Sequence, residues 1–191
     1  MSQLFDQNGN VLPVTVLSAG PVVVTRVTAL GDGESNVEVG YFEYPKSKKP
    51  AMGKLKGTPM EGKGVRWFRS FRTMEAPERG AMIDVSAFAE GDTIAVSSVS
   101  KGKGFQGVVK RHDFRGASST HGTKHAHRQP GSIGGGLRTR VPKGMRMAGR
   151  MGGERVTVRN LTVVKVDQAS GQLFVKGAVP GHRGSLVEIR G

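Results

Sequence analysis

The sequence predicts a mainly β protein: a small closed β-barrel body carrying a long irregular basic extension. Three observations predict it. Short runs rich in β-branched residues alternate in polarity with a period of two, helical periodicity is almost absent, and a formal charge of +14 over 191 residues is concentrated in two segments.

The first two strands are expected in "VLPVTVLSAGPVVVTRVTAL" (11–30), where β-branched runs flank the turn-prone cluster Ser18-Ala19-Gly20-Pro21. "SNVEVGYFEY" (35–44) alternates cleanly and is the third. "MIDVSAF" (82–88) and "DTIAVSSVS" (92–100) are two more, separated by Glu90-Gly91. After residue 154, "ERVTVRNLTVVKVD" alternates, "QASG" (168–171) turns the chain into "QLFVKGAVP", and "SLVEIR" closes it. Seven or so short strands joined by turns favour a barrel over an open sheet, because closure removes exposed strand edges.

The basic segments interrupt this pattern. Residues 45–79 carry 10 Lys and Arg against 3 acidic residues, and 100–155 carry 13 against 2, so the rest of the chain is slightly acidic. The second run also holds 13 of the 29 glycines and four of the five histidines. Like charges at this density repel and glycine loses much entropy on ordering, so neither segment is expected to pack a core without an anionic partner. The expected organisation is therefore a discontinuous barrel body at 1–99 and 155–191, with 45–79 a basic irregular insertion. An arm at 100–154, with its tip at 142–154, completes the chain.

Composition excludes several functions. With no cysteine there is no disulfide framework, thiolate zinc site or Cys nucleophile. No apolar run approaches the ~18 residues of a membrane span, and the N-terminus lacks the order of a signal peptide. A cytosolic protein, or one made inside an organelle, is expected.

Gly102-x-Gly104-x-x-Gly107 has the spacing of a dinucleotide fingerprint, which needs a βαβ unit and an acidic residue ~20 positions on. The stretch after Gly107 does not read as helix-forming, and no carboxylate stands near position 122, so a small phosphate cofactor is not expected. A phosphate polymer explains more: the glycines admit close backbone approach, while Lys101, Lys103, Lys110, Arg111 and Arg115 neutralise charge. Phe105 suits stacking on an unpaired base or anchoring the root of the arm.

"HGTKHAH" places three imidazoles within seven residues, but Lys124 and Arg128 beside them repel a dication, and no metal is expected. Ser118, Ser119 and Thr120 near His121 lack a nucleophile elbow or partner carboxylates, so no catalysis is expected either. "PKGMRMAGRMGGERVTV" (142–158) sets Met145, Met147 and Met151 among glycines and arginines without periodicity, as in a slender projecting loop.

"SKGKGFQGVVKRHDFRG", "THG", "HRQPGSIG", "MAGRMGGERVTV" and "LFVKGAVPG" resemble, in order and at nearly the right separations, the bacterial-type large-subunit ribosomal protein three family. "LFDQNGNVLPVTVLSAGP" resembles its first barrel strands and "KKPAMGKLKG…FRSFR" its middle, so nearly the whole chain is covered. The resemblance implies a barrel on the outside of the large subunit and an extension threading into ribosomal RNA. It implies early binding near the 3′-terminal domain of the large-subunit RNA, with Met147, Ala148, Gly149, Arg150, Met151 and Gly152 nearest the peptidyl transferase centre.

Three departures accompany it. The chain starts at the end of the family's Gly-rich leader, which is expected to shorten a barrel strand. "GGGLRTRVP" between Gly134 and Lys143 replaces a more regular pattern. Arg150 stands where some members carry a methylated glutamine, so that modification cannot occur there.

Charge pattern and resemblance together give the expected RNA contacts. Lys101, Lys103, Phe105, Lys110, Arg111, His112 and Arg115 open the arm. His121, Lys124, His125, His127 and Arg128 come next, then Arg138, Arg140, Lys143, Arg146, Met147, Arg150 and Arg155. Lys54, Lys56, Arg66, Trp67 and Arg69 contribute from the insertion. The expected partners are large-subunit ribosomal RNA and neighbouring large-subunit proteins, with no cofactor, membrane or small-molecule substrate. A free-standing β-barrel RNA chaperone and a nucleotide-binding enzyme are the competing readings.

Overall fold

The computed structural model describes every residue except Asp32, Lys46, Gly136, Leu137 and Arg138. Its first half runs β1 (Ser2–Phe5), β2 (Val11–Ser18), β3 (Val22–Gly31), β4 (Glu34–Glu43), α1 (Lys49–Gly53), β5 (Val65–Thr73), β6 (Met82–Ile83) and β7 (Thr93–Val99). Next come β8 (Gly104–Gln106), α2 (Val108–His112) and β9 (Gly149–Met151), then β10 (Arg155–Asp167), β11 (Gln172–Lys176) and β12 (Val187–Arg190).

The protein is mainly β, as the alternation predicts, but the strands do not close a barrel. Among the described residues they form a six-stranded sheet in the order β1-β2-β11-β10-β7-β12, a four-stranded sheet β5-β4-β3-β6 and a β8-β9 ribbon. The barrel expectation is corrected: both larger sheets keep two edges each. Those edges include short strands, with four residues in β1, four in β12 and two in β6, and a short strand offers few groups to the ladder that closure requires.

The chain divides into two compact units, 1–95 with 159–178 and 190–191, and 96–158 with 179–189. In the first unit, tight turns set the register. Asp6 accepts hydrogen bonds from the Asn8 and Asn10 amides at 2.9 and 2.8 Å, reversing β1 onto β2 through Gly9. Asp167 does the same between β10 and β11, accepting from the Ser170 hydroxyl at 2.6 Å and the Ala169 amide at 3.1 Å. Both carboxyls are held below their ordinary value, Asp6 chiefly by the Asn10 side chain and Asp167 chiefly by the Ser170 hydroxyl.

The segment 45–79 departs most from expectation. Instead of an irregular insertion it supplies α1, the nine-residue β5, and part of the core of the first unit. Leu55 is fully buried beside Val23 and Val65, with Met60 and Phe68 packed around them. Burying such a side chain stabilises by roughly 1.5–3 kcal/mol, which offsets part of the entropy lost in ordering the turn. That turn is fixed by the Thr58 hydroxyl donating to the Leu55 carbonyl at 2.7 Å. Gly40 lets β4 pass close, because a Cβ there would press on Val65 and Val23.

Smaller corrections come from the same geometry. Only Met82 and Ile83 of the predicted 82–88 strand pair, and Val85–Ala87 form a 3-10 turn that buries Val85. A five-residue helix, α2, does follow Gly107, too short to show a period in the sequence.

In the second unit, Ser97 and Thr157 hydroxyls share a hydrogen bond of 2.8 Å, and the Ser98 hydroxyl donates to the Leu186 carbonyl at 2.6 Å. Residues 113–148 contain no strand or helix among those described.

Candidate nucleic-acid interface

The predicted contact residues begin on the β8-β9 ribbon of the second unit. Phe105 lies opposite Arg150 in the antiparallel register and is 77% exposed, which leaves it open to a stacking partner and not packed as an anchor. The root of the ribbon is tied by the Ser100 amide to the Glu154 carbonyl at 2.9 Å and by the Lys103 amide to the Met151 carbonyl at 2.9 Å. Gly152 adopts φ +72°, and any Cβ there would overlap the Lys101 carbonyl oxygen, so the crossing needs glycine.

Gly107 precedes α2, whose Val108 is buried and whose last turn carries Lys110, Arg111 and His112. Cations there complement the carbonyl end of a helix. Asp113 ends the helix in the left-handed conformation. The partner of β8 is the antiparallel β9, not a parallel strand reached through a helix, so the glycine spacing is not a βαβ fingerprint.

Arg111 Nη1 donates to the Met147 carbonyl at 2.8 Å, and His112 Nε2 lies 3.1 Å from the same oxygen. These three predicted residues are half-buried and hold one another. An open cleft of about 650 Å³ brings Lys101, Lys103, Arg111, His112 and Arg150 together, with Glu154 on its wall. Four permanent cations around one concavity make an anion-attracting surface.

Beyond the ribbon, Arg115, His121, Lys124, His125, His127, Arg128, Arg140, Lys143 and Arg146 are all exposed, as is Lys110 on α2. They are carried on irregular chain, where the Ala117 amide donates to the His127 carbonyl at 3.1 Å and Gly116 packs against the backbone of His127 and Arg128. From 115 to 148 only the Ala117 and Gln129 amides, among the described residues, donate to a backbone carbonyl. None of the described cations from Lys101 to Arg150 sits in an ion pair. Arg138 lies outside the described residues. No group of three His, Asp or Glu among the described residues is close enough to hold a metal.

Arg155 differs from the rest. Its guanidinium grips both oxygens of Glu188, Nη1 to Oε1 at 2.8 Å, and that hydrogen bond raises its pKa above the ordinary value.

In the first unit, Lys54 is paired with Glu38 and lies 4.8 Å from the Phe68 ring centre, while Lys56 is exposed. Trp67 is half-buried, with the Arg66 guanidinium 4.9 Å and the Arg69 guanidinium 5.9 Å from its ring. Arg66 also reaches within 6.0 Å of the Tyr44 ring, a residue that the reading of the sequence did not single out. The aromatic run "YFEY" directly before a basic segment was the available signal.

Comparison with known proteins covers the whole chain. Residues 72–173 match the family described as ribosomal protein L3. The chain is 48% identical to the large ribosomal subunit protein uL3 of Thermobifida fusca, over 100% of this chain and 90% of that protein. It is 47% identical to the uL3 proteins of Herpetosiphon aurantiacus, over 99% of this chain and 91% of the relative, and of Streptomyces coelicolor, over 100% and 91%.

Proposed function

We propose, from the premise that this chain belongs to the ribosomal protein L3 family, a structural and non-enzymatic component of the large ribosomal subunit, that its own work is to fix large-subunit ribosomal RNA. The run 100–154 acts as an RNA-binding arm on a body formed by 1–99 and 155–191. Its exposed lysines and arginines replace diffuse counterions by tethered ones, which lets phosphate backbones approach one another.

The observation that carries this reading is the state of residues 115–148. Their cations have no carboxylate partners and their amides few backbone acceptors among the described residues. A folded polyanion offers these exposed groups both acceptors and opposite charge. Family resemblance supports the finer assignment: binding near the 3′-terminal domain early in assembly, the 142–154 tip directed to the peptidyl transferase centre, and neighbouring large-subunit proteins as further partners on the cytoplasmic ribosome.

The test is retention on large subunits through a high-salt wash, together with a salt titration of binding to the isolated RNA domain. Retention and a steep fall of affinity with salt are expected. Wash-off at high salt would favour a free-standing RNA chaperone, and a flat salt response would remove the electrostatic mechanism.

A further inference from the structure

We propose that the Trp67 face of β5, in the first unit, is a stacking site for unpaired bases of single-stranded RNA, separate from the arm. The inference rests on the RNA-binding reading above and adds a second mode of contact to it.

Tyr44, Arg66, Trp67 and Arg69 bring two aromatic rings and two guanidinium planes together, each guanidinium within 6.0 Å of a ring. They lie at the open edge of the four-stranded sheet, where β5 has no outer partner among the described strands. Phe42, next along the chain from Tyr41, is 53% exposed on a left-handed backbone, φ 68°, which a bulky residue rarely adopts. Its ring centre is 6.2 Å from that of Tyr41, itself opposite Trp67 in the register.

Charge selects the ligand further. On β4, the neighbouring strand, Glu38 and Glu43 are paired with Lys54 and Lys63. Arg66, which lies against both rings, has no carboxylate at ion-pair distance among the described residues. The face therefore offers planes and net positive charge at once. Unpaired bases on a phosphate chain match both properties, whereas a duplex hides its base faces and an acidic peptide lacks planes.

Trp67 is the single tryptophan of the chain, so its fluorescence reports this face alone. The full-length protein is titrated with a ten-nucleotide oligoadenylate, a ten-base-pair RNA duplex, an abasic ribose-phosphate chain of equal length and a polyglutamate peptide, with filter retention as an independent measure of binding. Saturable quenching by oligoadenylate is expected, and little by the other three. Arg66→Ala should weaken oligoadenylate binding about tenfold, with Arg66→Lys recovering only part, because lysine keeps the charge and loses the plane. Circular dichroism checks that these exposed-site variants fold.

Retention of oligoadenylate without a change at Trp67 would overturn the stacking site and leave RNA binding by the arm intact. Equal quenching by the abasic chain would reduce it to phosphate attraction, and quenching by polyglutamate alone would make it a protein-docking face. Either result overturns the proposal. Failure to retain any RNA would overturn the general reading as well.

Discussion

Two basic segments of this protein meet opposite fates. Both 45–79 and 100–155 combine high positive charge with glycine, yet the first builds a helix, a nine-residue strand and part of a core, while 113–148 forms no regular element among its described residues. The difference lies in where apolar side chains fall. Leu55, Met60, Val65 and Phe68 are spaced so that one turn and one strand bury them together. In the long run Ile133 and Val141 stay exposed, and no buried hydrophobic core residue lies between 113 and 148 among those described. Charge does not prevent folding when a few well-placed apolar groups outweigh it; glycine and charge without them leave the chain for a partner to order.

The sharpest way to break this contrast is Leu55→Ala. It should cost the first unit about 2–5 kcal/mol, read as a lower urea midpoint by Trp67 fluorescence. A cost below about 1 kcal/mol would mean that the insertion is not held by its core. The counterpart in the long run replaces Arg115, Lys124, Arg128 and Lys143 by glutamine. Stability should stay within about 0.5 kcal/mol, because these side chains are exposed. The slope of log affinity for ribosomal RNA against log salt should become shallower by about 3. An unchanged slope would show that these cations do not contact phosphate.

Gly152→Ala probes the one ordered piece at the root of that run. Forcing a Cβ against the Lys101 carbonyl should cost about 1–3 kcal/mol locally and speed exchange of the Lys103 amide, with the first unit unaffected. The smallest effect belongs to the turns of the first unit. Asp167 has a folded pKa depressed below 3.8, so its contribution is present above that value and lost as pH falls through the lower folded one. Asp167→Asn should flatten this acid limb of stability in pH-dependent urea melts, and an unaltered limb would assign the loss elsewhere.

Legibility in the sequence followed the range of the interactions. Strands β2, β3, β4, β7, β10, β11 and β12 were visible because alternation is local. Which strands become neighbours was not, since β2 meets β11 and β10 meets β7 across long stretches of chain, and open edges replaced a barrel. β5 was hidden by its own composition: in "VRWFRSFRT" the adjacent pairs Trp67-Phe68 and Arg69-Ser70 break the alternation, and three arginines make it read as a basic segment. In the candidate interface, the exposure of most cations followed from charge density alone. The grip of Arg155 on Glu188, 33 residues away, and of Arg111 on the Met147 carbonyl, 36 away, could be known only after folding.

Amide hydrogen exchange on the free protein, repeated with the 3′-terminal domain of large-subunit RNA bound, tests the contrast most directly. In the free protein the amides of 65–73 should be protected and those of 115–135 and 139–148 nearly unprotected, with the latter gaining protection when RNA binds. Strong protection of 115–135 without RNA, or none gained with it, would contradict the account.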